Sequence, residues 1–188
     1  MPPKVRISRE QILQTAIEIV RTEGDDALNA RNIAARLGCS TQPLFSNFAS
    51  MEEVRNAVIS AATERCSEYI AREVAAGLYP PYKASGMAYI RFAKEEPALF
   101  RLLYMRSRTE DSHAPEAQLF TKMTTLVQQN TGAKETQAEL FHLEMWAYVH
   151  GIASMLATGY LTLDWELISR MMTDAYQGLK KHYEQEDA

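Results

Sequence analysis

Residues 28–48, Leu-Asn-Ala-Arg-Asn-Ile-Ala-Ala-Arg-Leu-Gly-Cys-Ser-Thr-Gln-Pro-Leu-Phe-Ser-Asn-Phe, hold the chain's best-organised set of chemically useful side chains. Thr41, Gln42, Ser46 and Asn47 are uncharged donors and acceptors that line the outer side of one short helix. Groups of this kind match the base edges in the DNA major groove. Between Ala27 and Met51 there is no acidic residue, only Arg31 and Arg36, and the stretch before the first helix adds Lys4, Arg6 and Arg9. Cations placed there suit phosphates. The expected DNA face comprises Lys4, Arg6, Arg9, Asn29, Arg31, Ser40, Thr41, Gln42, Pro43, Phe45, Ser46 and Asn47.

Two helices joined by a tight turn must position these groups. Ile33, Ala34 and Leu37 form a stripe on the first, and Leu44, Phe45 and Phe48 form one on the second, each to be buried against a neighbour. Gly38 suits the left-handed conformation that ends a helix, and Ser40 is expected to cap the next. Pro43 fits the first turn, where an amide has no intrahelical partner. The third wall is a helix from Ser8 to about residue 23, opened by a capping box of Ser8 and Gln11, stapled by Ile7 and Ile12, and ended by Gly24. Its expected buried stripe is Ile12, Leu13, Ala16, Ile17 and Val20.

Charge limits the class of protein. Residues 1–55 carry seven basic and seven acidic side chains, while the chain as a whole has a net charge of -4. Nucleic-acid contact is therefore expected in a local patch, and a general polyanion binder or membrane-surface protein is excluded. At 188 residues and 46% hydrophobic content the chain can bury a sizeable core. Cys39 and Cys66 have no metal-ligand spacing and are read as reduced thiols. His113, His142 and His182 likewise lack a ligand partner at metal spacing. No glycine-rich phosphate loop, His-Glu-x-x-His or nucleophile elbow occurs, so neither catalysis, metal nor cofactor is expected. Residues 1–9 run into an amphipathic helix with no apolar signal region, and the expected location is the cytoplasm.

The remaining sequence reads as helix throughout, giving an all-α fold of about nine helices. Ser50 and Glu53 form a second capping box, opening a long helix over 51–76 that Gly77 and Pro80-Pro81 stop. Further helices are expected over 82–96, 98–106, 116–130, 136–160 and 165–184, with an exposed loop at 109–115. The segment 145–163 lacks charged residues, but His150, Gly151, Ser154, Thr158, Gly159 and Thr162 mark it as a buried helix instead of a membrane span. The boundary is placed between a DNA-binding head, 1–50, and a body, 51–188.

The chain resembles TetR-family transcriptional regulators. Ile12-Leu13 through Gly24, Ile33-Ala34, Leu37-Gly38-Cys39-Ser40, Leu44-Phe45, Asn47-Phe48 and Glu52-Glu53-Val54 carry the resemblance in the head. In the body it rests on the run from Tyr89 to Phe100 and on Trp146, His150 and Gly151, which is similar to the family's Trp-His-Gly type of C-terminal domain. Phe45, Asn47 and Met51 stand where the family usually has Tyr, His and a phosphate-contacting Lys. Affinity would then rest more on Asn47, Thr41, Arg31 and the basic tail.

The resemblance implies a homodimeric repressor whose two heads meet successive turns of a near-palindromic DNA operator, and which a small-molecule effector releases. A helical protein-interaction module of the same fold that has lost DNA binding is the alternative. The implied effector cavity would be lined from Met87, Tyr89, Phe92, Phe100, Tyr104, Met105, Met123, Trp146, His150 and Met155, soft side chains equally at home in a helical core. The implied dimer seam would use Leu143, Ala147, Gly151, Ser154 and Thr158 with Trp165, Ile168, Met172, Ala175 and Leu179.

Overall fold

The computed structural model describes residues 7–105 and 114–186, and among these the secondary structure is nine α-helices and one 3₁₀ turn. The helices are α1 (Arg9–Glu23), α2 (Ala30–Arg36), α3 (Gln42–Asn47), α4 (Met51–Ala76), α5 (Pro81–Glu95), α6 (Pro97–Tyr104), α7 (Ala114–Thr131), α8 (Glu135–Ala157) and α9 (Trp165–Glu186). The 3₁₀ turn (Asp25–Ala27), not foreseen, joins α1 to α2. Most of the expected 109–115 loop lies outside the described residues. The chain divides into two compact units, one of residues 1–65 with 96–106 and the other of 66–95 with 107–188.

Local chemistry sets the helix boundaries of the first unit. Ser8 and Gln11 exchange bonds, the Ser8 amide donating to Oε1 at 2.9 Å and the Gln11 amide donating to Oγ at 3.2 Å. Two of the orphan donors at the start of α1 are thereby satisfied. The second box is half formed. The Glu53 amide donates to Ser50 Oγ at 3.2 Å, but the Glu53 carboxylate accepts from the Ala49 amide at 2.6 Å instead of reaching back to Ser50. Along α1 the fully buried residues are Ile12, Ala16, Ile19 and Val20, with Leu13 and Ile17 half-buried. The stripe thus follows i, i+4, i+7, i+8, one face of a 3.6-residue helix, and includes Ile19 where the sequence suggested Ile17.

A second device fixes this unit. Glu96, 4% exposed, receives Arg21 at both carboxylate oxygens (Nε to Oε2 2.8 Å, Nη2 to Oε1 3.2 Å) and Arg65 Nε at Oε1, 2.8 Å. Its carbonyl accepts the Phe100 amide at 2.9 Å, opening α6 with Pro97 in the first turn. One buried carboxylate therefore ties together α1, α4 and the start of α6, with both guanidiniums partly in water.

In the second unit α5 is the central element. Tyr82, Ala84, Ser85, Met87, Ala88, Tyr89, Ile90, Phe92 and Ala93 are all buried, and the helix packs on α7, α8 and α9. Gly86 permits close approach of α9: a Cβ there would come within 2.5 Å of Met172 Cε. Helix α8 ends in a Schellman motif, with Tyr160 N–H donating to the Met155 carbonyl (2.9 Å) and Gly159 N–H to the Leu156 carbonyl (3.1 Å). No helix among the described residues is long and apolar enough to cross a membrane.

Candidate nucleic-acid interface

Helix α2 starts at Asn29, whose side chain accepts from the Asn32 amide at 3.0 Å while its own amide donates to the Ala27 carbonyl at 3.2 Å. It ends in a Schellman turn. Cys39 N–H reaches the Ala34 carbonyl at 3.0 Å and Gly38 N–H the Ala35 carbonyl at 3.2 Å, with Gly38 at φ 64°. That left-handed residue turns the chain into α3.

The start of α3 differs from expectation. Thr41, not Ser40, is the N-cap, with φ -73° and ψ -11°, and no side chain caps the helix. Pro43, at the second helical position, has no N–H to offer a capping oxygen. Leu44 and Phe48 are buried as predicted, but Phe45 leaves the stripe and is 50% exposed. Gln42, Phe45 and Ser46 thus share the outer face, at i, i+3 and i+4. Ser40 is exposed in the turn, while Thr41 and Pro43 are half-buried.

Asn47 and Arg9 are committed to bonds within the chain that hold the helix. Asn47 Nδ2 donates to the Pro43 carbonyl at 2.8 Å and to the Ile7 carbonyl at 3.4 Å. Arg9 donates to the Asn47 carbonyl at 2.5 Å, pairs with Glu53 at 2.8 Å and lies 3.9 Å from the Phe48 ring centroid. The Ala49 amide, and after it Arg9, hold the Glu53 carboxyl below the usual carboxylate range. Arg36 is occupied by Glu23 and by Thr22 Oγ1 at 3.1 Å. Arg31, by contrast, is exposed and makes no ion pair among the described residues. Lys4 and Arg6 lie outside those residues.

The body residues fall into both units. Phe100, Tyr104 and Met105 belong to the first, where Phe100 and Tyr104 rings lie 5.1 Å apart and Met105 is exposed. Met87, Tyr89, Phe92, Met123, Trp146, His150 and Met155 belong to the second. There Tyr89 Oη and His150 Nδ1 are 2.9 Å apart, and Trp146 stacks on His150 at 5.1 Å and 19° while remaining 43% exposed. Met87, Phe92 and Met123 are buried, and Met155 is half-buried.

A second tyrosine–histidine pair escaped the sequence reading. Tyr82 Oη lies 3.0 Å from His142 Nδ1, and both residues are buried. Phe120 faces the same imidazole at 4.9 Å, and Tyr176 lies 5.9 Å from Tyr82 and 5.2 Å from Phe141. Burial pushes His142 down from 6.5 to about 4 and Tyr82 well up, so the hydrogen bond joins a neutral ring to an intact phenol. The signal was the spacing. Tyr82 and Tyr89 are seven apart on α5 and His142 and His150 eight apart on α8, two turns in each case. Among the described residues no cluster of metal-ligating side chains occurs.

The seam candidates divide similarly. Leu143, Ala147 and Thr158 are exposed, and Gly151, Ser154, Trp165, Ala175 and Leu179 are half-buried. Ile168 and Met172 are buried, Met172 against Gly86. Leu140 and Leu167, not singled out from sequence, are 48% and 41% exposed.

Residues 82–176, just over half of the chain, match a family model described as the tetracyclin repressor-like C-terminal domain. The chain belongs to the tetracyclin repressor-like (TetR) family of transcriptional regulators. In fold it is similar to a TetR-like transcriptional regulator from Rhodococcus sp. RHA1, at 19% identity and TM-score 0.71, with 95% of this chain and 98% of that one covered. A protein of unknown function from the same organism is similar at 22% identity and TM-score 0.72, with 96% and 97% covered. The curated proteins contain no match to the sequence.

Proposed function

We propose that the protein is a homodimeric repressor that binds a near-palindromic operator and is released by a small apolar or aromatic effector. One observation carries the DNA-binding part: an acid-free turn and helix α3 present Gln42, Phe45 and Ser46 outward, with Arg31 uncommitted nearby in sequence. Groups of this size and polarity suit base edges, and an exposed guanidinium suits a phosphate. Residues 1–50 are the DNA-contacting head in this reading, and 51–188 the effector and dimer body.

The dimer part draws support from α8, whose Leu140, Leu143, Trp146 and Tyr148 are exposed together with Leu167 of α9. That much large apolar surface on two helices fits a self-complementary seam. The effector part draws support from the two tyrosine–histidine pairs between α5 and α8, which put hydrogen-bonding groups among aromatic rings. Ligand control then requires tighter ligand binding to the form whose heads miss successive major grooves, about 34 to 36 Å apart.

Selection of binding sites from random duplex DNA, followed by titration at two salt concentrations, tests the reading. A recovered inverted repeat bound by two chains, with binding that resists scrambled competitor, is the expected result. Recovery of no preferred sequence would instead favour the protein-interaction module, a reading aided by the commitment of Arg9 and Asn47 to partners within the chain.

A further inference from the structure

We infer that Phe45 is a base-reading side chain whose ring packs on the 5-methyl group of a thymine in each half-site, an inference that rests on the DNA-binding reading above. Helix α3 exposes three side chains on one face, Gln42, Phe45 and Ser46. Ser46 has already donated its hydroxyl proton to the Gln42 carbonyl at 3.0 Å, and Asn47 has spent its amide on Pro43 and Ile7. The outward face then offers one uncommitted amide, Gln42, the acceptor lone pairs of Ser46 Oγ, and one apolar ring.

That ring is 50% exposed and makes no aromatic or guanidinium stack among the described residues, whereas Phe48, three residues on, is buried beneath Arg9. Isolated exposed hydrophobic side chains are ordinary. Phe45 stands apart through its neighbours: it is the largest outward group on the helix, one turn after Gln42, in a segment without acids. A phenyl ring cannot hold a phosphate oxygen. In the major groove the one apolar feature is the thymine methyl, and covering it removes water from both surfaces. Gln42 remains the hydrogen-bonding reader beside it.

The test uses the full chain and the site recovered by selection. Each thymine is replaced in turn by deoxyuridine, which deletes the methyl and keeps the base pair, and Kd is measured for the wild type, Phe45→Ala and Phe45→Ser. At one symmetry-related thymine the wild type should lose about fourfold per half-site and about fifteenfold when both are changed, the value of one buried carbon each. Both variants should bind the thymine and uracil duplexes equally at that position. Because Phe45 is half in water, the variants should fold, and a wild type that responds at no thymine overturns the inference even without them. If no thymine responds in the wild type, or if the variants respond as the wild type does, the inference fails while DNA binding stands. Failure to select any sequence overturns both readings together.

Discussion

Arg9 at the start of α1 donates to the carbonyl of Asn47 at the end of α3, 2.5 Å away across thirty-eight residues of sequence. The cation thus closes the C-terminal end of the proposed recognition helix, where helix carbonyls lack intrahelical donors. Residues of DNA-contacting type are here divided into those that build the helix and those that it presents.

This division separates two substitutions. Asn47→Ala removes the bonds to Pro43 and Ile7 and should lower stability by about 1 to 2 kcal/mol, read by denaturant melts. Gln42→Ala should leave stability within about 0.5 kcal/mol. It should nevertheless weaken binding to a selected operator by roughly tenfold to a hundredfold. Equal stability losses in the two variants would contradict the assignment.

Gly38 provides a test of the turn. Its φ of 64° is the left-handed conformation, and a Cβ there would meet nothing within 4 Å. Gly38→Ala should therefore cost about 1 to 2 kcal/mol through backbone strain alone. Gly38→Asn, better tolerated in that region, should recover part of it, as thermal melts of both variants would reveal.

Glu96 is predicted to matter more than its single charge suggests. Glu96→Gln keeps shape but weakens three charge-assisted bonds, and about 2 kcal/mol of stability should be lost, moderated because Arg21 and Arg65 retain access to water. Arg21→Ala combined with Glu96→Gln should cost less than the two single losses added.

The buried imidazole of His142 should make the protein acid-sensitive over a defined window. Burial lowers its folded pKa from 6.5 to about 4, so between those values the unfolded chain binds a proton that the folded chain does not. Stability is then unchanged by this group above pH 6.5, falls as pH drops towards 4, and levels off below. The full span is on the order of 3 kcal/mol. Denaturant melts of wild type and His142→Gln across this range should diverge, the variant losing that part of the slope.

What could be seen in the sequence was mostly local. The Ser8–Gln11 box and the Gly38 turn each depend on residues within five positions of one another. What could not be seen depends on distant partners. Nothing near Asn47 indicates that it faces Ile7, forty residues earlier, and nothing near Phe45 says that Leu44 and Phe48 fill the core without it. The Tyr82–His142 pair was visible only as matched two-turn spacings, which become meaningful once α5 and α8 are known to pack together.

The unit built around Glu96 draws on two separated stretches of chain, 1–65 and 96–106. A single cut after residue 65 would strip it of Leu99, Phe100, Leu102 and Leu103 and leave Arg21 and Arg65 without their shared anion, and a cut after the helix-turn-helix would remove Arg65 as well. Grafting this unit onto another regulator therefore calls for a two-segment transplant, and chimaeras joined at one crossover should inherit the proposed recognition helix on an unfinished foundation.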